Sequence, residues 1–352
     1  MLQIRLMTSD DLARTARVWN QCVQKQELLC LPLTEERWKQ LERVPGGLWL
    51  VAENDGVFGF LHGVIREGKA CVDLIAVSEK RRRQGIGRAL TEDFERRARE
   101  AGCGSVSAGG ALAADIPWYM PETEGHWHQH MPGVPLGMRC FPWRWRLESG
   151  YPFFRSLGYA DAGHVVGMHA PFSRVPYLGD YERPQNARLL SGLKKEGVRL
   201  IDRPMPGEKL DYEGICARVG SEYWRDMLRT ELTAWETGGC NEDPRFWPDG
   251  RKPVFPRPIL MFAKQSEIIG FCGPVDVHRD RRAWFTGLCV DPQWRGRQLG
   301  RMLFEYTLRT MAGNGAKYIS LYTGADNPAR RIYEREKLTV SQSFAIMRKE
   351  LE

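Results

Sequence analysis

Two stretches of this chain set arginines and glycines at the mouth of a helix, a spacing suited to gripping a diphosphate. The first reads Arg82-Arg83-Gln84-Gly85-Ile86-Gly87-Arg88 and the second Arg295-Gly296-Arg297-Gln298-Leu299-Gly300-Arg301. A short apolar run ending at Val77 or Val290 precedes each. The first N–H groups of a helix lack intrahelical partners, and the helix dipole makes that end positive. Phosphate oxygens suit such a cradle. Glycine lets the main chain approach without a Cβ in the way. Arginine adds charge-assisted bonds. A P-loop would end in Gly-Lys-Ser/Thr, which neither stretch has, and a dinucleotide fingerprint needs a third glycine that is missing at the required spacing. A coenzyme A diphosphate loop is the third reading.

Such a loop needs a strand before it and a helix after it, and the chain supplies that arrangement twice. Val77, Arg82 and Gly87 recur as Val290, Arg295 and Gly300, each 213 residues on, with no gap. Helical periodicity follows at 88–99 and 301–311, then strand patterns at 104–108 and 317–322. Upstream, 48–53 and 57–66 read as paired strands around Asn54-Asp55-Gly56. The second copy repeats this at 259–264 and 268–277. Each half opens with a strand and then helices. Strand 4–7 precedes a helix capped near Ser9 or Asp10, and strand 199–202 precedes one starting near Lys209. The matching order predicts a duplicated α/β domain. We expect residues 1–172 as the first copy, 173–196 as a linker and 197–352 as the second. The Pro-, Gly- and Tyr-rich run 171–184 reads as linker, and 188–195 as a short helix.

Bulk composition agrees with two ordinary cores. The chain has 352 residues, 42% hydrophobic and 27% charged. No apolar run approaches the ~18 residues of a membrane span, and the first residues lack a signal-peptide core. Nine scattered cysteines, with no Cys-x-x-Cys pair, read as reduced thiols of a cytoplasmic protein. A dispersed charge of +7 gives no argument for nucleic acid; an anionic small ligand suits it equally.

Strand, Arg-x-x-Gly-x-Gly and helix together resemble the GNAT superfamily of N-acetyltransferases, whose strand ends in Val-x-Pro before the loop. Val77, Arg82, Gly85 and Gly87 carry the first match, with Glu79 in place of the proline. Val290, Pro292, Arg295 and Gly300 carry the second, with Gln298 at the usual first glycine; its main-chain N–H is retained. The resemblance covers nearly the whole chain. It implies two tandem α/β (α+β) domains, each a mixed, mostly antiparallel twisted sheet flanked by helices. It also implies acetyl-CoA as co-substrate, with no metal. In that family the valine-bearing strand splays from its neighbour and pairs with the pantetheine arm, a role that falls here on Ile75, Ala76 and Val77 and on Leu288, Cys289 and Val290.

The resemblance also implies a thiolate-protonating tyrosine. Asn327-Pro328-Ala329-Arg330-Arg331-Ile332-Tyr333 is similar to the family's pattern, so Tyr333 takes the acid role, and Asn327 and Arg330 join the coenzyme contacts. The first copy has Phe154 at the equivalent place, after about 34 extra residues, so its chemistry is expected to be lost. A family carboxylate four residues before the valine is present as Asp73 but is Thr286 in the second copy. Asp276 and His278, on the preceding strand, are the other candidate bases, directly or through water. The expected acceptor is an amine of a small molecule or peptide, without a membrane or nucleic-acid partner; a homodimer stays open. A non-catalytic acyl-CoA-binding protein, or an acyltransferase with another donor such as an aminoacyl-tRNA, are the rival readings.

The extra segment, 111–148, is rich in Trp, His and Pro and reads as a loop that covers something. His126, His128 and His130 have no cysteine or carboxylate at a standard metal spacing, so a structural or surface role is expected. A helix over 222–236 carries Trp224, Leu228, Leu232 and Trp235 on one face. Glu231, Glu236, Glu242 and Asp243 nearby read as exposed charge.

Overall fold

The computed structural model describes residues 2–25, 30–110, 115–119, 126–130, 133–140, 144–147, 150–175, 183–243, 246–247 and 252–352. The chain divides into two compact units. The first comprises Met1–Gly167, Tyr322–Ala325 and Val340–Glu352; the second comprises Met168–Leu321 and Asp326–Thr339.

In the first unit, β1 (Gln3–Leu6), β2 (Gly47–Glu53), β3 (Val57–Arg66) and β4 (Lys69–Val77) pair antiparallel in sequence order. Between β1 and β2 lie α1 (Leu12–Gln24) and α2 (Glu35–Glu42). The start of α1 differs from expectation. A 3₁₀ turn, Ser9–Asp11, comes first, and the N-terminal cap falls on Thr8, whose N–H donates to Asp11 Oδ2 at 2.9 Å. Arg5 also donates to Asp11 (2.6 Å) and to Glu53 (2.8 Å), so the carboxyl is already occupied as a tie between β1 and the helix entry. Next, α3 (Ile86–Glu100) leads to β5 (Ser105–Ala108), which runs parallel to β4. Ile86, Leu90, Phe94 and Ala98 recur every fourth residue and are all buried. At roughly 1.5–3 kcal/mol for each large apolar side chain, that stripe is enough to hold α3 on the sheet.

Within the extra segment, residues 111–114, 120–125, 131–132, 141–143 and 148–149 fall outside the described residues. The remainder corrects the loop reading: β6 (Asp115–Tyr119), β7 (His126–His130), β8 (Val134–Cys140) and β9 (Arg144–Leu147) are strands. β6 pairs with β7, and β8 with β9. Pro117 does not prevent this, because the two-stranded ribbon β6–β7 has an outer edge that asks no N–H of it; Pro135 lies before the β9 pairing, opposite Phe344 of β16 at a shift in register. Then come α4 (Gly150–Ser156) and β10 (Ala160–Pro171), whose last residues belong to the second unit.

The second unit begins its helices with α5 (Pro184–Lys195), longer than the expected 188–195; residues 176–182 of the supposed linker are outside the described set. It continues with β11 (Val198–Ile201), α6 (Tyr212–Val219), α7 (Glu222–Thr237), β12 (Leu260–Lys264), β13 (Glu267–Val277), β14 (Arg282–Val290), α8 (Leu299–Gly313), β15 (Tyr318–Gly324) and α9 (Arg330–Arg335). The sheet order β11-β12-β13-β14-β15 repeats the first unit, with β14 and β15 parallel. α6 starts three residues past Lys209, where Asp211 caps it by accepting from Gly214 N at 2.9 Å. Ser221 caps α7 by accepting from Trp224 N at 3.2 Å. Leu228 and Leu232 of α7 pack into the core as the stripe predicts, and Trp224 meets Phe271 edge to face.

The chain's last strand, β16 (Thr339–Glu350), belongs almost wholly to the first unit. Met347–Glu350 pair antiparallel with β5, and Gln342–Ala345 with β8. Lys349 adds an ion pair with the buried Glu95 of α3 at 2.8 Å. The first unit's sheet is therefore finished by residues far away in sequence.

Candidate functional site

The two arginine–glycine loops have the same backbone. Each strand runs into a 3₁₀ turn (Glu79–Arg81; Pro292–Trp294) and then into two left-handed residues before the helix. In the first loop these are Arg83 (φ 61°) and Gly85 (φ 80°); in the second, Gly296 (φ 79°) and Gln298 (φ 63°). Glycine and side-chain-bearing residue have changed places, yet the conformation is kept. A left-handed residue with a Cβ costs roughly 1–2 kcal/mol, so each loop retains strain at one position. Gln298→Gly should therefore raise stability by about 0.5–1 kcal/mol after the entropy of glycine is counted. Thermal unfolding reads this as a small upward shift; a downward shift would mean that the Gln298 side chain is needed.

Helix dipole and donors follow from that geometry. Ala89 N and Met302 N are the first helical amides bonded back, to Gly85 O and Gln298 O. Among the described residues, the main-chain N–H groups of Gly85, Ile86, Gly87 and Arg88, and of Gln298, Leu299, Gly300 and Arg301, have no backbone partner. Gly85 and Gly296 have open space where a Cβ would stand. Both helix N-termini therefore present main-chain amides without backbone partners.

The arginine side chains divide by task. Arg82 Nε donates to Val77 O at 2.9 Å, and Arg295 Nε to Val290 O at 3.2 Å. Each one ties the loop back to the strand it leaves. Arg297 is paired with Glu196 and lies over Trp294 at 4.6 Å. Arg88 faces Glu92 at 3.6 Å, while Arg83 and Gln84 are exposed. Arg301 is buried, donating to Glu305 (3.1 Å) and Asn186 (2.6 Å), so only its main-chain N–H is left for a ligand.

The strands leading into the loops splay from their parallel neighbours. β4 pairs with β5 only through Ala70, Cys71 and Val72, and β14 with β15 only through Arg282 and Ala283. Ile75, Ala76 and Val77, and Leu288, Cys289 and Val290, pair on the other side with β3 or β13. The units differ in what fills the opening. Asp73 and Leu74 are buried, whereas Trp284, Phe285, Thr286, Gly287 and Leu288 are all half-buried. The second unit thus has a more open strand.

Tyr333 is buried on α9, edge to face with Phe304 (4.9 Å) and near Phe285 (6.5 Å). Burial, with the neighbouring Cys272 thiol, pushes its phenol pKa well above the ordinary tyrosine value. Glycine contacts fix the correspondence with the first unit. A Cβ on Gly300 would meet Ile332 at 3.3 Å, and one on Gly87 would meet Phe153 at 3.1 Å. Ile332 therefore answers to Phe153, and Tyr333 to the buried Phe154. Tyr151 donates to Asp161 at 3.0 Å, away from that position. Asn327 accepts from Ala329 N at 2.9 Å, and Arg330 donates to Glu334 at 2.8 Å.

Of the candidate bases, Asp73 belongs to the first unit, and Asp276 and His278 to the second, at and just past the end of β13. Asp73 is fully buried with His62, Oδ2 to Nδ1 at 3.0 Å, beneath Trp49. Sequence reasoning missed His62; a lone histidine in an apolar strand gives no sign of its cross-strand partner. In the second unit, Asp276 is half-buried and accepts from Val277 N at 2.7 Å. His278 is buried and stacked on Trp284 at 6.1 Å. Glu231 corrects its expected exposure: it is fully buried, paired with Arg257 and accepting from Asn241 at 2.6 Å. Amphipathic position on α7 points it inward, where Arg257 supplies the counter-charge that burial demands. Glu236 and Glu242 are exposed as expected, and Asp243 is half-buried.

Family models agree with the doubled loop. The acetyltransferase (GNAT) family model matches residues 13–120 and again 222–337. This chain belongs to the GNAT family. Its GNAT fold also recurs in solved structures at low identity. A GCN5-related N-acetyltransferase from Sphaerobacter thermophilus superposes with a TM-score of 0.59 at 16% identity, covering 99% of this chain and 95% of that one. A tandem GNAT protein from the clavulanic acid biosynthesis pathway gives 0.58 at 16%, covering 99% and 98%. A glucosamine N-acetyltransferase region in a fungal multi-domain GH3 β-N-acetylglucosaminidase gives 0.64 at 15%; this chain is covered over 99% but spans only 38% of that protein. No curated protein matches the sequence. Among the described residues, no group of three or more His, Cys, Asp or Glu could hold a metal ion, and no helix is long and apolar enough to cross a membrane.

Proposed function

We propose that the second unit transfers an acetyl group from acetyl-CoA to the amine of a small molecule or peptide, and that the first unit binds coenzyme A without turnover. The observation that carries this reading is the half-buried run Trp284–Leu288 beside a phenol kept protonated by burial. The first unit has a buried strand and Phe154 in the same places.

In this reading the amides of Gln298, Leu299, Gly300 and Arg301 grip the diphosphate, with Gly296 leaving room and Arg295 fixing the loop. The main chain of Leu288, Cys289 and Val290 pairs with the pantetheine arm; Asn327 and Arg330 line its far side. The acceptor nitrogen attacks the thioester carbonyl, the C–N bond forms and the C–S bond breaks. Tyr333 gives its proton to the departing thiolate, and Asp276 or His278 takes the proton lost by nitrogen. Free thiols at the described cysteines suit a cytoplasmic setting.

The test is release of free coenzyme A thiol from acetyl-CoA across a panel of amino sugars, polyamines, amino acids and peptides, beside calorimetric titration with coenzyme A. We expect binding and amine-dependent release. Binding with no release on any amine would leave a coenzyme-binding protein, and absence of binding would sink the reading.

A further inference from the structure

We propose that Arg183 and Glu336 are positioning residues, clamping α9 and its Tyr333 to the helix that begins at the diphosphate loop. The inference rests on the reading of Tyr333 as the acid.

Helix α9 has six residues, too few to hold an orientation through its own hydrogen bonds. Besides the Phe285 ring (6.5 Å from Tyr333), two contacts tie this segment to consecutive residues of α8, one direct and one through Arg183. Tyr333 packs on Phe304 at 4.9 Å. Glu336, three residues past Tyr333 and fully buried, accepts from Arg183 Nη2 at 2.9 Å. Arg183 Nε in turn faces Glu305 Oε2 at 3.5 Å. Glu305 is also met by Arg301 and Arg309, both at 3.1 Å, from one turn before and one turn after it on α8. Asn186 of α5 takes the other end of Arg301 at 2.6 Å.

The network has two arms from one helix. Arg301 and Asn186 steady the first turn of α8, which presents the loop amides. Arg183 and Glu336 steady the helix bearing the phenol. Buried ion pairs are poor sources of stability against apolar packing of equal volume, but they admit few geometries. Here they set the distance between two parts of one reaction, and the N-cap residue of α5 becomes a positioning element of the site.

The test compares Arg183→Gln and Arg183→Lys in the full chain. Misplacing a reacting group by about 1 Å can cost up to ~100-fold. We expect Arg183→Gln to lower kcat about tenfold with KM for acetyl-CoA nearly unchanged, and Arg183→Lys to recover most of the rate. In Arg183→Gln/Tyr333→Phe the loss should not exceed that of Tyr333→Phe alone. Hydrogen exchange over 326–340 should quicken in Arg183→Gln without any substrate present. Unchanged exchange there would overturn the clamp whether or not the wild-type chain turns over. An additive loss in the double variant, or a lowered melting temperature with kcat intact, would also overturn it. A wild-type chain inert towards every amine counts against acetyl transfer, and the exchange measurement still decides the clamp.

Discussion

Tyr333→Phe is expected to lower kcat for acetyl transfer by about 100-fold or more, the usual weight of a positioned general acid. The substitution removes one oxygen and keeps the ring, so the contacts with Phe304 and Phe285 persist. Unfolding should therefore hardly move, and KM for acetyl-CoA should stay within a factor of about two, because the lost interaction forms only as the thiolate departs. The pH profile gives a second readout. Burial raises the phenol pKa, so the acid stays loaded through neutral pH and is lost only above the ordinary tyrosine value of about 10. Wild-type activity should show no descending limb from this group below that point. An unaltered kcat in the variant across pH would remove Tyr333 from the mechanism.

Glu231→Ala should destabilise the protein by about 3–5 kcal/mol, the cost of stranding one partner of a buried ion pair. The Arg257 guanidinium is buried under Phe246 O (2.8 Å) and over the Trp284 ring (5.3 Å), and its described counter-ion is Glu231. Asn241 would lose the same carboxylate. For a unit of this size that corresponds to a drop of roughly 10 °C in melting temperature. Replacing both, as Glu231→Met/Arg257→Leu, should be far milder than the single change, since apolar packing compensates a deleted pair. Circular dichroism melts of the three chains decide this. A single variant that melts within about 2 °C of the wild type would mean that water reaches Arg257.

The two arginine–glycine loops were legible because their pattern is local. A strand, a few glycines and a helix lie within about twenty consecutive residues, and the 213-residue offset repeats them. The paired strands were equally plain: β3 has the bounds that the Asn54-Asp55-Gly56 turn and its flanks imply. Partnerships across the fold were not legible. His62 and Asp73 are eleven residues apart, and only the strand register reveals that they meet. Glu231 looked like surface charge because its partner, Arg257, arrives from a distant loop. Nor did composition show that β8 and β16 pair, since a sheet's long-range order depends on topology rather than on local propensity. The proline-rich segment misled because proline excludes a helix interior more strictly than a ribbon edge.

The membership of β16 in the first unit bears on how the chain comes into being. A ribosome delivers about 5–20 residues per second, so β5 waits through about 240 further residues for Met347–Glu350. During that interval Ser105–Ala108 has no partner on that side, an open template for a neighbouring nascent chain. That edge of the first unit's sheet is thus completed only after β16 has been made, and a truncation before residue 347 would damage the part of the chain made first.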